Sequence, residues 1–485
     1  MKLITYKKLL ITFIALCSWF VASSQQYSDS LLRYLEIAAK NNPTVQQKFT
    51  EYKAALEKIP QVGSLSDPEL SLGVFLKPME LVNGIQVADI RLMQMFPWFG
   101  VLRNAKDEMS LMASAKFELF RDAKLQVFYD VQRTWYELYK VRKNIAISEK
   151  NIEILKTIER LALVKFKSPS SGNTGTTAVS PGISSVSAQS SNAGSGGMQT
   201  MGSGDGNSGS TASNQSSAPM QTSSMGSAQG NTGLADLYRI QIETGDLENS
   251  IALLKDQLST LAARFNSYLN RKPAAPVFTG EFLPADSLRF SLLAVSDSIL
   301  AKNPMLSMLG YEMQSLEARK KMVTAMGYPM VGLGLNYSLI SRSNVAMGEP
   351  SMNGRDMIMP MVTVTLPIYR KKYNAMKAEA DLLKTATSQN YQATSNSLQS
   401  EYYQAVQLYQ DAQRRVTLYE NQYRLASKSL DLTLKSFSTS STGLTDVLRV
   451  RQQTLDYEFK QVEAVADLNT SIAWLKRLMA FSQIK

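Results

Sequence analysis

The sequence predicts an α+β fold in which two pairs of strands and two long helical hairpins form an internal two-fold repeat. Residues near 68–97 and 329–367 alternate apolar and polar side chains, a period of two that is typical of strands with one apolar face. The stretches that follow repeat apolar residues every seven positions, which is typical of helices that supercoil around neighbouring helices. In the first long helix these positions are Val131, Leu138, Ile145 and Ile152.

A seven-residue phrase marks the two hairpins. GLADLYR at residues 233–239 recurs as GLTDVLR at residues 443–449, with glycine, leucine, aspartate and arginine at the same offsets. A glycine that ends one helix and an aspartate near the start of the next helix indicate a turn. Each copy of the phrase is therefore interpreted as the return bend of a helical hairpin.

Residues 1–24 are predicted to be a secretory signal peptide. Lysines precede an apolar run from Leu9 to Val21, and small residues follow it, with cleavage expected before Gln25. The run is too short to span a bilayer. Cys17 is the candidate acceptor for a lipid, but bulky Leu16 stands where a lipoprotein signal has a small residue, so an ordinary signal peptide is favoured.

The composition excludes several classes of protein. The chain has 485 residues, one cysteine and no histidine, so an intramolecular disulfide and the usual histidine-based metal and catalytic sites are excluded. No two carboxylates stand at a spacing recognisable for acid–base catalysis, and we expect neither an enzyme nor a cofactor. The formal net charge of +11 comes from lysine and arginine scattered along an exported chain, which indicates solvated helix faces and no nucleic-acid partner.

The first repeat is predicted to span residues 25–272. Its helical pattern is interrupted at Asn42-Pro43, where proline suits the first turn of a helix. Strands are expected at about 68–77 and 85–97. Val101 to Lys167 then contains neither glycine nor proline, and at about 1.5 Å per residue this helix is much longer than a compact globular core.

A segment of different composition interrupts this repeat. Residues 168–232 consist almost entirely of small and polar residues and methionine, with no aromatic side chain. Such a segment buries too little apolar surface to offset its ordering entropy, so a disordered insert is predicted at the tip of the first hairpin. Prolines then mark a linker at 273–289.

The second repeat is predicted to span residues 290–485 and to match the first repeat without the insert. Asn303-Pro304 corresponds to Asn42-Pro43, and strands are expected at about 329–340 and 357–367. The number of residues between the proline that closes the strands and the glycine of the return bend is larger in the first repeat than in the second. The difference is about the length of the insert. The insert is therefore interpreted as an addition to one copy of a matched pair.

The predicted strands are long enough to cross a membrane. About 9–11 residues suffice for a tilted β-strand to span a bilayer, and the mature sequence predicts no transmembrane helix. Four strands cannot close a barrel, and open sheet edges are not tolerated in lipid, so several subunits are expected to contribute strands to one barrel. An exported protein of this kind is expected in an outer membrane.

These features together resemble the TolC-type outer-membrane efflux channels. The resemblance is carried by the two Asn-Pro pairs, the strand closures Pro97-Trp98-Phe99-Gly100 and Leu366-Pro367-Ile368-Tyr369, and the return bend that begins at Gly443. It covers nearly all of the mature chain except the insert. It implies a homotrimer in outer-membrane lipid, in which a shared twelve-stranded β-barrel, four strands per subunit, continues as a long α-helical coiled-coil barrel across the periplasm.

The resemblance also implies partners and a function. The tips of the helical hairpins form an entrance that docks a periplasmic adaptor protein and an inner-membrane pump, which is either proton-driven or of the ABC type. The leading function is a passive exit duct of a tripartite efflux system for small solutes such as drugs or metal ions, with energy supplied by the pump. The alternatives are a duct for type I protein secretion and a coiled-coil surface protein that is not a channel.

The two return bends contain the candidate residues of the pore entrance and of adaptor docking. The family often carries a second acid three residues after the aspartate of the bend, as part of an acidic ring, whereas this chain has arginine there. One interpretation is an exposed ion pair within each helix, which contributes about 0.3 kcal/mol. The other is an entrance ring of mixed or positive character that disfavours cations. The candidates are Gly233, Asp236, Arg239, Gly443, Asp446 and Arg449.

Methionine and aromatic residues allow further interpretations. Thioethers suit Cu(I) and similar soft ions, so metal capture by the insert is an alternative to an inert or adaptor-contacting loop. No metal site is predicted, because no histidine or cysteine assists and the spacings are loose. Trp98 and Tyr369, at strand ends, are either anchors at the membrane interface or packing residues at the junction of barrel and tunnel. The methionines of the insert are Met198, Met201, Met220 and Met225.

Overall fold

The computed structural model of the chain describes residues 31–81, 84–167, 232–287, 299–344, 353–439 and 442–481. The predicted signal peptide with Cys17, the end of the predicted linker, and the predicted insert apart from Thr232 lie outside these residues, together with the four methionines of the insert. The contacts within the chain divide it into two units, one formed by Leu155–Glu243 and one by the remainder.

The helices and strands follow one another in the predicted order. Two helices precede the first pair of strands, one helix directly precedes the second pair, and a long helix and a return helix follow each pair. A helical stretch at 299–302 leads into α5. Among the helices of the described ranges, none has both the length and the hydropathy that crossing a membrane requires. The elements are α1 (31–41), α2 (Pro43–Gly63), β1 (Glu69–Leu81), β2 (Gly84–Phe96), α3 (Val101–Lys167), α4 (Thr232–Tyr268), α5 (Pro304–Met326), β3 (Met330–Ser341), β4 (Met357–Thr365), α6 (Arg370–Ser438) and α7 (Leu444–Leu478).

Two of the strands differ in length from the expectation. β1 continues to Leu81, beyond the expected end near residue 77, although Pro78 lies within it. β1 is an edge strand, and its pairing with β2 is irregular between Val74 and Met79, so a residue without an N–H is tolerated there. β4 ends at Thr365, two residues before the proline that was expected to close it.

An asparagine caps the helix that follows each Asn-Pro pair. The Asn42 side-chain oxygen accepts hydrogen bonds from the backbone N–H groups of Thr44 and Val45, at 3.0 and 3.2 Å. The corresponding oxygen of Asn303 accepts one from Met305 at 2.9 Å. Both asparagines are extended, with φ/ψ of −63°/124° and −64°/126°, and proline, which lacks the N–H, occupies the first turn of each helix. The two junctions therefore have the same local structure.

The four strands form one antiparallel sheet in the order β1-β2-β3-β4. The central pair, β2 with β3, joins residues far apart in the chain, from Ile85 opposite Ser341 to Phe96 opposite Val331. Directly opposite residues of neighbouring strands project on the same face of a sheet, so the register assigns each side chain to a face.

One face of the sheet is apolar and exposed, and the other is polar and more covered. On the apolar face Leu72, Leu333 and Val362 are 68%, 53% and 70% exposed. On the polar face Gly332 and Ser338 are buried. An apolar surface of this extent indicates contact with lipid or with another protein. The apolar face is formed by Leu70, Leu72, Val74, Ile90, Leu92, Phe96, Val331, Leu333, Leu335, Ile358, Val362 and Val364.

The main helical core forms where α1, α3 and α4 pack together. Leu35, Trp135, Leu138 and Phe265 are each at most 2% exposed and belong to one cluster. The four predicted heptad positions of α3 are all buried, and those at 145 and 152 form a second cluster with Ile251 of α4. The heptad prediction for α3 is therefore confirmed.

The predicted linker is held against the helices along residues 273–287. Near its start Asn266 donates to the carbonyl oxygens of Pro273 and Ala275, at 2.9 and 2.8 Å. Further along, the Trp135 indole N–H lies 3.4 Å from the Phe278 carbonyl oxygen. Near its end the Asn469 amide donates to the Pro284 carbonyl oxygen at 3.0 Å and accepts from the Asp286 N–H at 2.9 Å. Lys476 pairs with the Asp286 carboxylate at 2.9 Å. Side chains thus satisfy the polar backbone of a segment that has no regular structure. We call this segment the strap.

The second unit contains the end of α3 and the start of α4. Leu155, Ile158 and Ile240 are each at most 1% exposed. The Gln241 side-chain amide donates to the Glu159 carboxylate at 3.3 Å. These contacts indicate that the apolar stripe of the helices continues beyond the first unit.

Replacing the capping asparagines is expected to destabilise the fold unequally. Asn42 also donates to the Tyr268 carbonyl oxygen at 2.8 Å, at the end of α4. Asn303→Ala should lower the free energy of unfolding by about 1 kcal/mol, the usual contribution of a cap. Asn42→Ala should lower it by about 2–3 kcal/mol, because a carbonyl group also loses its donor. Denaturant unfolding followed by circular dichroism measures both values, and equal losses would contradict the role assigned to the Tyr268 bond.

Candidate functional site

The second return bend places its apolar and polar residues on different sides of α7. Leu444, Val447 and Leu448 are each at most 3% exposed. The side chains of Asp446 and Arg449 are 50% and 75% exposed. Buried positions three and four residues apart give a helix one apolar stripe, so the two charged candidates lie at the surface of the chain.

Asp446 and Arg449 form an ion pair within α7. The Arg449 Nη2 donates to the Asp446 Oδ1 at 3.1 Å. Asp446 lies in the first turn of the helix, where its negative charge complements the unpaired N–H groups. An exposed pair at this spacing contributes about 0.3–0.5 kcal/mol. The geometry of the second bend is that of the first interpretation, an exposed ion pair within the helix, and its two charges sum to zero.

Gly443 is the residue directly before α7, and it does not end α6. α6 ends at Ser438, and the N–H of the next residue, Thr439, bonds to the Lys435 carbonyl oxygen at 3.2 Å. Gly443 has φ −81° and ψ 157°, an extended conformation that any residue adopts, and a Cβ there would meet no atom of the described chain within 4 Å. The expectation that this glycine ends the preceding helix is therefore wrong. Several residues separate α6 from α7, so a left-handed glycine is not required to reverse the chain.

The first return bend lies in the second unit, at the start of α4. Because α4 begins at Thr232, Gly233 belongs to the first turn of this helix and does not precede it. Asp236 is half-buried and Arg239 is exposed. Their spacing of three residues places the two side chains on neighbouring turns of the same side of α4.

A buried arginine follows the second bend and was not identified from the sequence. Arg451 is 2% exposed and lies on the same side of α7 as Leu448 and Leu455, which are also buried. It is three residues after the first of these leucines and four before the second, so the heptad spacing itself places it on the packed side of the helix. Arginine is mostly found at the surface, and a pattern of apolar residues does not reveal such a position.

A charged groove of about 740 Å³ lies between α3, α6 and α7. Arg415 and Asp467, which line it, pair at 3.0 Å, and Lys140, which also lines it, pairs with Glu463 of α7 at 3.3 Å. Burial raises the pKa of Asp467, although the nearby Arg415 favours its charged form. Charges of both signs line this groove in pairs, which suits the positioning of helices. The sequence did not reveal this groove, because its charged residues stand at the same spacing as those of an ordinary solvated helix face.

The aromatic residues at the strand ends have different environments. The Trp98 ring stacks on that of Tyr328, with centroids 5.4 Å apart and planes at 21°. This contact joins the end of β2 to the segment that enters β3. Tyr369, which follows β4, is 84% exposed. Trp98 thus packs on Tyr328 although it remains 38% exposed, whereas the ring of Tyr369 is open to its surroundings.

The described part of the chain offers no cluster of acidic or cysteine side chains for a metal. No group of three or more such residues is close enough there to hold an ion. The second return bend thus presents an exposed ion pair, while its leucine and valine side chains pack within the chain.

No family model matches the sequence, and none of the curated proteins matches it. The structure is similar to solved outer-membrane channels. For OprN, an outer-membrane channel, the TM-score is 0.66 at 13% identity over 94% of this chain and 90% of that chain. For the outer membrane protein VceC of Vibrio cholerae the score is 0.65 at 12% identity, over 94% and 98%. For the MtrE outer membrane channel of Neisseria gonorrhoeae in its open state it is 0.63 at 12% identity, over 93% and 89%.

These likenesses extend over nearly the whole of both chains, including the long helices and the four-stranded sheet. At identities of 12–13% they establish the fold. The chain therefore has the fold of the TolC-type outer-membrane efflux channels, and the resemblance drawn from its sequence motifs is confirmed.

Proposed function

We propose that this protein is the outer-membrane channel subunit of a tripartite efflux system, a passive exit duct for small solutes. In this proposal three copies of the chain form one barrel in the outer membrane and one helical tunnel in the periplasm. A periplasmic adaptor protein docks on the hairpin tips, and an inner-membrane pump supplies the energy. The fold shared with outer-membrane channels supports this assignment.

The sheet is the observation that carries the proposal. It has an exposed apolar face, and its edge strands β1 and β4 have no further strand beside them among the described residues. In lipid every backbone polar group must be satisfied, so the two edges require strands from neighbouring copies. A closed ring of such sheets turns the apolar faces towards lipid and the polar faces towards a lumen.

The long helices fit the second part of the duct. α3 and α6 have 67 and 69 residues, which at 1.5 Å per residue gives a length of about 100 Å for each. The same sequence of elements occurs twice, with similar Asn-Pro junctions, and we propose that the chain is an internal repeat of residues 25–272 and 290–485. Two hairpins per subunit would give the tunnel six hairpins in a trimer.

The return bends are proposed as the adaptor-docking tips. The second bend combines buried leucine and valine with an exposed Asp–Arg pair of no net charge, and the first bend has an aspartate and an arginine at the same spacing. Such an entrance lacks the acidic ring that is common in the family, so it should not concentrate cations. Gly233 and Gly443 mark the points where the two return helices begin.

Two alternatives use the same structural features differently. A duct for type I protein secretion has the same channel and a different pump, and the identity of the pump encoded beside this gene separates the two. A coiled-coil surface protein without a channel leaves the exposed apolar face of the sheet unexplained, so this alternative is disfavoured.

The purified mature protein is expected to be a trimer in detergent, with a barrel that shifts its gel mobility on heating. Light scattering with correction for bound detergent measures the mass of the protein component. A monomer in several detergents would contradict the proposal, since the two edges of the sheet would then be open.

Arginine substitutions on the two faces of β4 should have opposite outcomes. Val362, on the apolar face, is 70% exposed, and its neighbour Thr363 projects on the polar face. Val362→Arg should lower the stability of the inserted protein by about 2–4 kcal/mol, the cost of a cationic side chain facing the bilayer midplane. Thr363→Arg, the matched control, should still insert. Heat-modifiable trimer recovered from outer membranes is the measurement, and similar losses for both variants would contradict the assignment of the faces.

Reversing the charge of the bend arginines is expected to increase cation selectivity. Arg449→Asp replaces a paired charge by two like charges near the entrance, and Arg239→Asp should add to the effect, because screening is incomplete within about 8–10 Å. The matched control is Arg414→Asp, since Arg414 is 74% exposed and also pairs with an aspartate three residues before it. Reversal potentials in planar bilayers report selectivity. If all three variants match the unmodified channel, the bend arginines lie outside the lumen.

A further inference from the structure

The methionines of the sheet all occupy one face in its regularly paired part. This part contains six methionines, two in β2, one in β3 and three in β4. The register places each of them on the polar face, in line with residues such as Gly332, Gly334 and Thr363. The six are Met93, Met95, Met330, Met357, Met359 and Met361.

The apolar face has no methionine in the same region. Its large apolar side chains are leucine, isoleucine, valine and phenylalanine. On the polar face, in contrast, methionine is the only residue with an apolar side chain, among glycine, serine, threonine, asparagine and charged residues. Methionine is a flexible apolar side chain that fills irregular spaces, and it also carries a thioether group, which leucine and valine lack.

A glycine leaves room for a methionine sulfur at the centre of this face. A Cβ on Gly332 would lie 2.6 Å from the Met95 Sδ, so this sulfur occupies the space above the glycine. The Thr363 hydroxyl donates to the Met93 Sδ at 3.7 Å. Because Met93 is in β2 and Thr363 is in β4, the Met93 side chain extends across β3.

The neighbouring glycine provides a similar space. A Cβ on Gly334 would lie 3.7 Å from the Met361 methyl carbon, so this side chain leans from β4 over β3. Gly334 stands between Met93 and Met361 in the register. Methionine side chains from β2 and β4 therefore extend towards each other over Gly332 and Gly334 of β3, which have no side chains. We call the space above these two glycines the trough.

We propose that the polar face of the sheet is a binding surface for soft monovalent metal ions such as Cu(I) and Ag(I). Thioether sulfur is a soft ligand that selects such ions over Mg²⁺ or Ca²⁺. The chain has 23 methionines, one cysteine and no histidine, so thioethers are its main soft ligands. This inference rests on the proposed function, in which the polar face lines the barrel lumen and each subunit of a trimer repeats the surface.

The surroundings of the thioethers suit passage more than permanent storage. A thioether is neutral, and three charged residues share this face, with Glu69 directly opposite Met93 and with Asp89 and Arg91 further along β2. The two acids and one arginine give the face a small negative charge, so its preference for soft ions over other cations must come from the thioether sulfur. A series of neutral, weak ligands lets an ion enter and leave, which conduction requires.

The test compares two triple variants of the full mature chain. Purified protein in detergent carries methionine labelled with ¹³C at the methyl group, in a nitrate buffer without chloride, and silver nitrate is the probe. Both variants retain the methionines outside the exchanged positions, including those of the insert. The test variant is Met93→Leu/Met95→Leu/Met361→Leu, and the control, with exchanges in helices, is Met112→Leu/Met326→Leu/Met376→Leu.

Silver should shift the methyl resonances of the three sheet methionines in the unmodified protein before those of the helical methionines, and Mg²⁺ should shift none. Calorimetric titration with silver should lose its tightest step in the test variant and keep it in the control variant. Equal titrations for both variants, or methyl shifts that follow only the solvent exposure of each methionine, would overturn the inference. If the test variant does not assemble, the order in which silver shifts the methyl resonances of the unmodified protein decides whether the inference holds.

The outcomes also separate this inference from the proposed function. A trimer that conducts but binds silver equally well in both variants would reject the thioether surface and leave the channel intact. A protein that forms no trimer and no conducting pore would reject the channel, while the methyl shifts would still report whether the sheet sulfurs bind silver.

Discussion

The antiparallel pairing of β2 with β3 is the interaction on which the rest of the structure depends. It brings strands from the two halves of the chain into one sheet, with Ile90 opposite Tyr337 and Leu92 opposite Leu335. A shift of one residue in this register would move the apolar side chains of one half to the other face. The present register instead makes one face predominantly apolar across all four strands, with Gln94 its polar exception in β2. The same constraint assembles the methionines of β2 and β4 on the opposite face, although they are distant in sequence.

The helical part is ordered by side chains that bond to the backbone where regular structure ends. Asn42 caps α2 and reaches the carbonyl of Tyr268, so one residue joins two helices. Asn266 and Asn469 hold opposite ends of the strap against the helices. The side chains of these three residues bond to backbone groups at helix ends and along the strap, where regular structure supplies no partners. The strap therefore connects the two halves of the chain as part of the packed structure.

Charge has a different role at the ends of the helices. Asp446 and Arg449 neutralise each other at the surface, whereas Arg451, two residues later, is buried. In the groove between α3, α6 and α7, Arg415 and Lys140 pair with acids across neighbouring helices. These ion pairs combine charges of both signs, at the surface of α7 and between neighbouring helices. The thioethers of the sheet add neutral, soft groups of a different chemistry on its polar face.

The sequence alone determined the kinds and order of the elements, because periods of two and of seven and the Asn-Pro junctions are local signals. It also predicted the buried heptad positions of α3 and the Asp446–Arg449 spacing, since three residues on a helix are always neighbours. The tertiary structure decided which strands pair, which side chains share a face, and how residues 273–287 are held. The sequence could not predict the role of Gly443, because this role depends on where α6 ends. The heptad spacing does place Arg451 on the packed side of α7, but the usual preference of arginine for the surface hides its burial. Strand alternation assigns residues to two faces, but only the register between distant strands brings Met93 and Met361 to the same trough, since pairing is a property of the folded chain.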